Sequence, residues 1–393
     1  MNNQKVELLS PAGNLEKLKI AIKYGADAVY AGVSHFSLRI RAGKEFTFET
    51  FKEGIDYAHA RGKKVYATIN GFPFNSQIEL LKKHIATMAA LKPDGFIVAA
   101  PGVVKLCREI APEIDIHLST QANVLNYLDA QVFWDMGVKR IVVAREISLK
   151  DVVEIKKHLP DMEIEIFVHG SMCFAYSGRC LVSAVQMGRV PNRGSCANDC
   201  RFEYTLYAAN EDHSTLFRLE EEPGVGTYIF NSKDMNLASH IKEILDSGAV
   251  DSLKIEGRTK SPYYAAVTAK AYREAIDDYY AGKFEADKYQ KELYTTKNRG
   301  FTDAYLIHRP FEKTDSQNHD YALSKGSYEV TGLVTQDEEH FLCKYKVYPN
   351  EDIEIFTPMG EELVECENEI GKIFKKDGIY YINFKKILTE TNK

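Results

Sequence analysis

The chain has 393 residues, 45% hydrophobic and 27% charged, with a net charge of −6. These are ordinary values for a globular protein, and the length holds one large domain and a smaller one. No apolar run approaches the roughly 18 residues of a membrane span, and the mildly negative total means that a nucleic-acid partner needs a local basic surface.

The N-terminal MNNQKVELLSPAG lacks the apolar stretch of a signal peptide, so a cytoplasmic location is expected. In that compartment disulfides are uncommon, and clustered cysteines more often hold metal or do chemistry.

In chain order, short apolar runs alternate with longer amphipathic stretches. The runs are VELLS (6–10), AVYAG (28–32), KVYATI (64–69), GFIVA (95–99), DIHLS (115–119), RIVVA (140–144), IEIFV (164–168) and SLKIE (252–256). Such alternation implies parallel strands joined by helices in right-handed crossovers. Eight units in about 260 residues predict an α/β fold, a (β/α)8 TIM-like barrel. A doubly wound sheet is the alternative, but the first turn reads SPAGN and carries no GxGxxG.

One interval breaks the rhythm. Between the seventh and eighth strands the connecting helix is expected at LASHIKEILDSGA (237–249), which leaves about 65 extra residues before it, too many for a plain loop. Loops after barrel strands lie on the C-terminal face, where active sites sit. EYTLYAAN and GTYIFN predict a hairpin inside this insertion. A helix follows at 261–282. From Tyr328 the periodicity changes to two, through YEVTGLV, HFLCKYKV, DIEIFTP, ELVECEN and GIYYINF, which predicts a small C-terminal all-β barrel. The expected division is a barrel over 1–310 with the cysteine-rich insertion at 170–235, a linker at 311–326 and the β module at 327–393.

Alternation along a strand sends one set of side chains inward. In the seventh strand these are Glu165, Phe167 and His169, in the fifth His117, Ser119 and Gln121, in the eighth Lys254, Glu256 and Arg258, and in the third Tyr66, Thr68 and Asn70. Charges on several strands near their C-terminal ends read as a site for a small anionic ligand with polar groups, since an arginine fork matches carboxylate or phosphate. His169, Glu165, Lys254, Glu256, Arg258 and His117 form the candidate catalytic set. Arg39 and Arg41 after the second strand could extend the pocket. The competing reading is an internal salt-bridge plug.

Four of the seven cysteines, Cys173, Cys180, Cys196 and Cys200, fall in one segment with spacing Cys-x6-Cys-x15-Cys-x3-Cys. Buried free thiols, structural zinc and an iron–sulfur cluster all compete here, and spacing alone does not separate the last two. The other three, Cys107, Cys343 and Cys366, are isolated. A nucleophilic pair of Cys173 with His169 would support a peptidase reading, but HExxH and GxSxG are absent.

Several segments resemble the collagenase-like peptidase superfamily: ELLSPAG (7–13), GADAVYAGV (25–33), EIFVHGSMCFAYSGRCLVSA (165–184), GSCANDCRFEY (194–204), DSLKIEGRTKSPYY (251–264) and NRGFTDAYL (298–306). The likeness runs along essentially the whole chain, and its most specific part is the HGxMC–SGRC–CxxxC segment. Within the superfamily the cysteine spacing is most like that of the tRNA-hydroxylating branch. The resemblance implies formation of 5-hydroxyuridine at the wobble position of tRNA. It also implies a [4Fe-4S] cluster on Cys173, Cys180, Cys196 and Cys200, with zinc as the alternative occupant, and prephenate as a co-substrate. The expected partners are a tRNA anticodon loop, a small anionic metabolite and an electron-donor protein, with no membrane. A splayed wobble base needs aromatics and basic groups, so Tyr176, Arg179 and Arg193 join Arg39 and Arg41 as candidate substrate-binding residues, with Phe174, Arg189 and Arg201 nearby. The rivals are a collagenase-like peptidase and a non-catalytic, zinc-stapled RNA-binding protein.

Overall fold

A computed structural model describes residues 5–33, 36–38, 46–202, 204–205, 207–209, 216–218, 231–309 and 313–318. In the C-terminal part it describes 326–328, 332–334, 341–343, 356–358, 366–367, 371–376 and 379–384. The chain divides into two units, Met1–Lys325 and Gly326–Lys393.

The first unit is a closed barrel of eight parallel strands: β1 Glu7–Pro11, β2 Ala28–Ala31, β3 Lys64–Ile69, β4 Gly95–Val98, β5 Asp115–Leu118, β6 Arg140–Val142, β7 Glu163–Ser171 and β8 Ser252–Ile255. Each pairs with the next, and β8 pairs with both β7 and β1, which closes the ring. The intervening helices form where apolar residues repeat at helical spacing, and in five of them a side-chain cap satisfies the first turn. Asn14 caps Leu15–Lys23, which buries Leu18, Ala21 and Ile22, while Ser148 caps Leu149–His158 and Ser261 caps Pro262–Tyr280. Residues of one parity, such as Leu8, Val29, Ile116, Ile166 and Leu253, pack against these helices. Leu9, Ala28, Tyr30, Tyr66 and Ile97 form a separate cluster inside the barrel.

The expected helix before β8 is a 3-10 turn, Ala238–His240, running into a short helix, Ile241–Asp246. One feature escaped the sequence reading. Strand β7 is nine residues long and overshoots the rim. Its unpaired backbone needs a partner, and Asp234–Asn236 supplies it by pairing antiparallel with His169, Gly170 and Ser171. Phe301–Thr302 then pairs parallel to that added strand.

Within the insertion, Tyr207–Ala209 pairs antiparallel with Leu216–Arg218, so EYTLYAAN does enter a hairpin, while residues 226–230 of GTYIFN lie outside the described residues. Of the stretch expected as a linker, Asn318 is buried and donates to the Arg299 carbonyl, and the Lys233 amide donates to the Ser316 carbonyl. In the second unit Gly332–Val334 pairs with Phe341–Cys343, and Cys366–Glu367, Gly371–Lys376 and Ile379–Phe384 form an antiparallel sheet. Closure of these strands into a barrel lies outside the described residues. No described helix is long and apolar enough to cross a membrane.

Candidate functional site

The lower barrel is filled by charge. Arg140, at the start of β6, pairs with Glu7, with Glu163 at 2.6 Å and with Glu165 at 3.1 Å. Lys254 reaches Glu165 at 2.6 Å. The Tyr66 hydroxyl donates to Glu7 at 2.7 Å, and the Ser252 hydroxyl does so at 3.1 Å. Glu165 is fully buried. Burial pushes its carboxyl up, but Lys254 and Arg140 outweigh burial and hold it below the usual range. His117 lies edge-on to Tyr66 and is held neutral by burial and by Arg140 and Lys254. Glu165, Lys254 and His117 therefore belong to the plug in the lower half of the barrel.

His169, Glu256 and Arg258 lie at the upper rim. The Glu256 amide donates to the His169 carbonyl at 2.8 Å across the β7–β8 seam. His169 is 2% exposed, and its Nδ1 lies 3.3 Å from the Tyr272 hydroxyl, which also contacts the Val168 carbonyl and Asn236. Burial, aided by the charge on Lys260, pushes the imidazole down to about 3. Gly170 permits this packing: its φ is +112°, and a Cβ there would stand 2.6 Å from the Glu256 carbonyl oxygen. Arg258 donates to Ser37 at 2.7 Å, to Thr68 at 3.0 Å and to the Leu38 carbonyl. Arg39 and Arg41 lie outside the described residues.

The cysteine segment leaves β7 and crosses the tops of β5 and β6. The Ser177 amide donates to Glu146 at 2.9 Å. Gly178, at φ +76°, sits where a Cβ would lie 2.1 Å from the Gln121 carbonyl oxygen, so only glycine lets this turn dock. Asn192 holds the Gly178 carbonyl at 2.8 Å. Farther on, Ser183 accepts from the Ala197 amide at 3.0 Å and approaches the Cys196 sulfur. The four cysteines are free thiols, with Cys173 exposed and the others half-buried. They share one electrostatic neighbourhood. Burial first, then charge on Cys173, Cys196 and Asp199, raises Cys180. Burial pushes Cys200 up to about 11; Arg201 opposes this and the other three cysteines add to it. Among the described residues no three Cys, His, Asp or Glu side chains converge tightly enough to hold one metal ion. A four-iron cluster puts each thiolate on a separate iron, so its sulfur shell is wider than the tetrahedron that zinc draws in at about 2.3 Å. Four free cysteines in one segment match the donor set such a cluster takes.

Tyr176 and Phe174 are exposed beside Cys173, and Arg179 is exposed in the same turn. Arg193 instead lies over the Phe74 ring at 3.9 Å and donates to Gln77, which ties the insertion to the loop after β3. His169 and Cys173 share no hydrogen bond, so the nucleophilic pair of the peptidase reading is not assembled. Sequence reasoning missed Tyr272, Asn236 and the buried Asp234–Arg299 ion pair. It also missed Asp199, 1% exposed, whose carboxylate has no hydrogen-bond partner among the described residues. The signals were present: Arg299 lies in NRGF, and Asp199 lies between two cysteines.

Residues 13–316 match peptidase family U32. The chain belongs to this family. The tRNA hydroxylation protein P of Helicobacter pylori is 65% identical over 388 residues, covering 99% of this chain and 92% of that one. Its namesake from Escherichia coli is 40% identical over 413 residues, covering 94% and 90%. The family also reaches a 23S rRNA 5-hydroxycytidine C2501 synthase of Escherichia coli, 33% identical over 277 residues, covering 70% of this chain and 40% of that protein.

Proposed function

We propose that this chain is a tRNA-modifying enzyme that hydroxylates C5 of a wobble uridine, giving 5-hydroxyuridine, with prephenate as a small anionic co-substrate. The observation that carries this reading is near full-length similarity at 65% identity to a tRNA hydroxylation protein. The four free cysteines of one segment on the C-terminal side of the barrel support a [4Fe-4S] cluster on Cys173, Cys180, Cys196 and Cys200. When bound, such a cluster supplies one-electron redox chemistry. The chain's own residues do the rest. Exposed Phe174 and Tyr176 offer faces on which a splayed base stacks. Arg179, Arg189 and Arg201 supply local positive charge for the phosphates of an anticodon loop, against a net charge of −6. His169, held neutral by burial and fixed against Tyr272, braces the rim at the β7–β8 seam, with Glu256 beside it. An electron-donor protein and a cytoplasmic setting belong to the same reading.

Anaerobic purification followed by assay of iron, acid-labile sulfide and zinc tests the cofactor, beside a Cys196→Ala/Cys200→Ala variant. About four irons and four sulfides per chain, lost in the variant, are expected. One zinc and no sulfide would make the segment a structural staple and remove the redox proposal.

A further inference from the structure

Three buried or half-buried arginines of the barrel unit are committed to acids. Arg140 pairs with Glu7, Glu163 and Glu165, Arg273 with Asp27 and Asp277, and Arg299 with Asp234. Arg145 differs. Its guanidinium carbon lies 3.9 Å from the centroid of the Phe167 ring, and no carboxylate among the described residues pairs with it. A guanidinium stacked by its face keeps its edge donors available in a fixed plane.

The position is also specific. Arg145 follows β6 at the rim, and its amide donates to Ser177 of the cysteine segment at 3.4 Å. Phe167 faces the barrel interior, where Lys254 lies 5.5 Å from the same ring and 4.5 Å from Tyr30, and Arg258 lies 5.9 Å from Tyr30. Lys254 is neutralised by Glu165, and Arg258 is engaged by the neutral oxygens of Ser37, Thr68 and Leu38. The mouth of the barrel therefore holds an arginine fork and aromatic walls, at the point where the cysteine segment crosses it.

We infer that Arg145 takes the carboxylate of the small anionic co-substrate and sets the specificity for it. This rests on reading the barrel mouth as the reaction site. A small carboxylate is favoured over an RNA phosphate because the fork is stacked on a ring that is only 8% exposed, whereas Arg179 offers the open surface a backbone phosphate would meet.

The test is calorimetric titration of the full chain, wild type, Arg145→Gln and Arg145→Lys, with prephenate and separately with malonate, a plain dicarboxylate. Binding of tRNA is measured in parallel across salt concentrations. Arg145→Gln is expected to weaken carboxylate binding about 10- to 100-fold, the worth of a charge-assisted fork. Arg145→Lys keeps the charge and loses the planar fork, so it falls between, and it decides the matter should the glutamine variant fail to fold. The affinity for tRNA and its salt slope stay as in the wild type. Unchanged carboxylate affinity in both variants overturns the inference, as does a loss confined to tRNA binding, or no binding of either probe by the wild type. If malonate binds in an Arg145-dependent manner and prephenate does not, the role of Arg145 stands and prephenate as co-substrate falls.

Discussion

His169 and His117 are buried imidazoles, and burial holds both below the ordinary histidine range, His169 at about 3. Neither is protonated in the folded protein near neutral pH. The unfolded chain binds those protons below about pH 6.5, so stability falls as pH drops, by about 1.4 kcal/mol per pH unit for each such group. For His169 the loss runs from about pH 6.5 down to its folded value of about 3. Denaturant unfolding between pH 7 and pH 4 is expected to show this slope, and His169→Gln is expected to reduce it. An unchanged slope in the variant would mean that His169 titrates alike in both states. In turnover, His169 is expected to contribute no limb near pH 6.5 to the rate profile.

The cysteine segment depends on a few backbone positions. Gly178→Ala places a Cβ against the Gln121 carbonyl in a left-handed conformation. The turn would lift from β5, and bound iron is expected to fall sharply while the thermal midpoint of the barrel changes little, as checked by iron assay and circular dichroism. Full iron retention would show that this docking is dispensable. The segment itself was legible in the sequence, because an overlong interval after a barrel strand and its sulfur content both stand out. The added strand Asp234–Asn236 was not, since three residues carry no period. Arg145 was also hidden, because its significance comes from lying on Phe167 and from lacking an acid, and neither is a property of local sequence.

At the scale of the molecule, the barrel is a scaffold with a charged plug below and a polar mouth above. The eight strands were legible because each is a short apolar run in alternation with helical patterns, and strand parity pointed to the inward residues. Height along the barrel axis was not legible: Glu165 and Lys254 read as site residues, yet they bond each other within the plug. Glu165→Gln would leave Lys254 and Arg140 short of a counter-charge, and a loss of about 3–5 kcal/mol is expected. Denaturant melts check this, and the folded fraction is expected to keep its iron. Loss of iron without loss of stability would return Glu165 to the site. The most direct test of the central claim is nucleoside mass spectrometry of tRNA from a strain lacking the gene, complemented with wild type or with Cys196→Ala/Cys200→Ala. The account predicts that 5-hydroxyuridine derivatives vanish on deletion, return with the wild type and stay absent with the variant. Unchanged derivatives in the deletion strain, or full restoration by the variant, would contradict it.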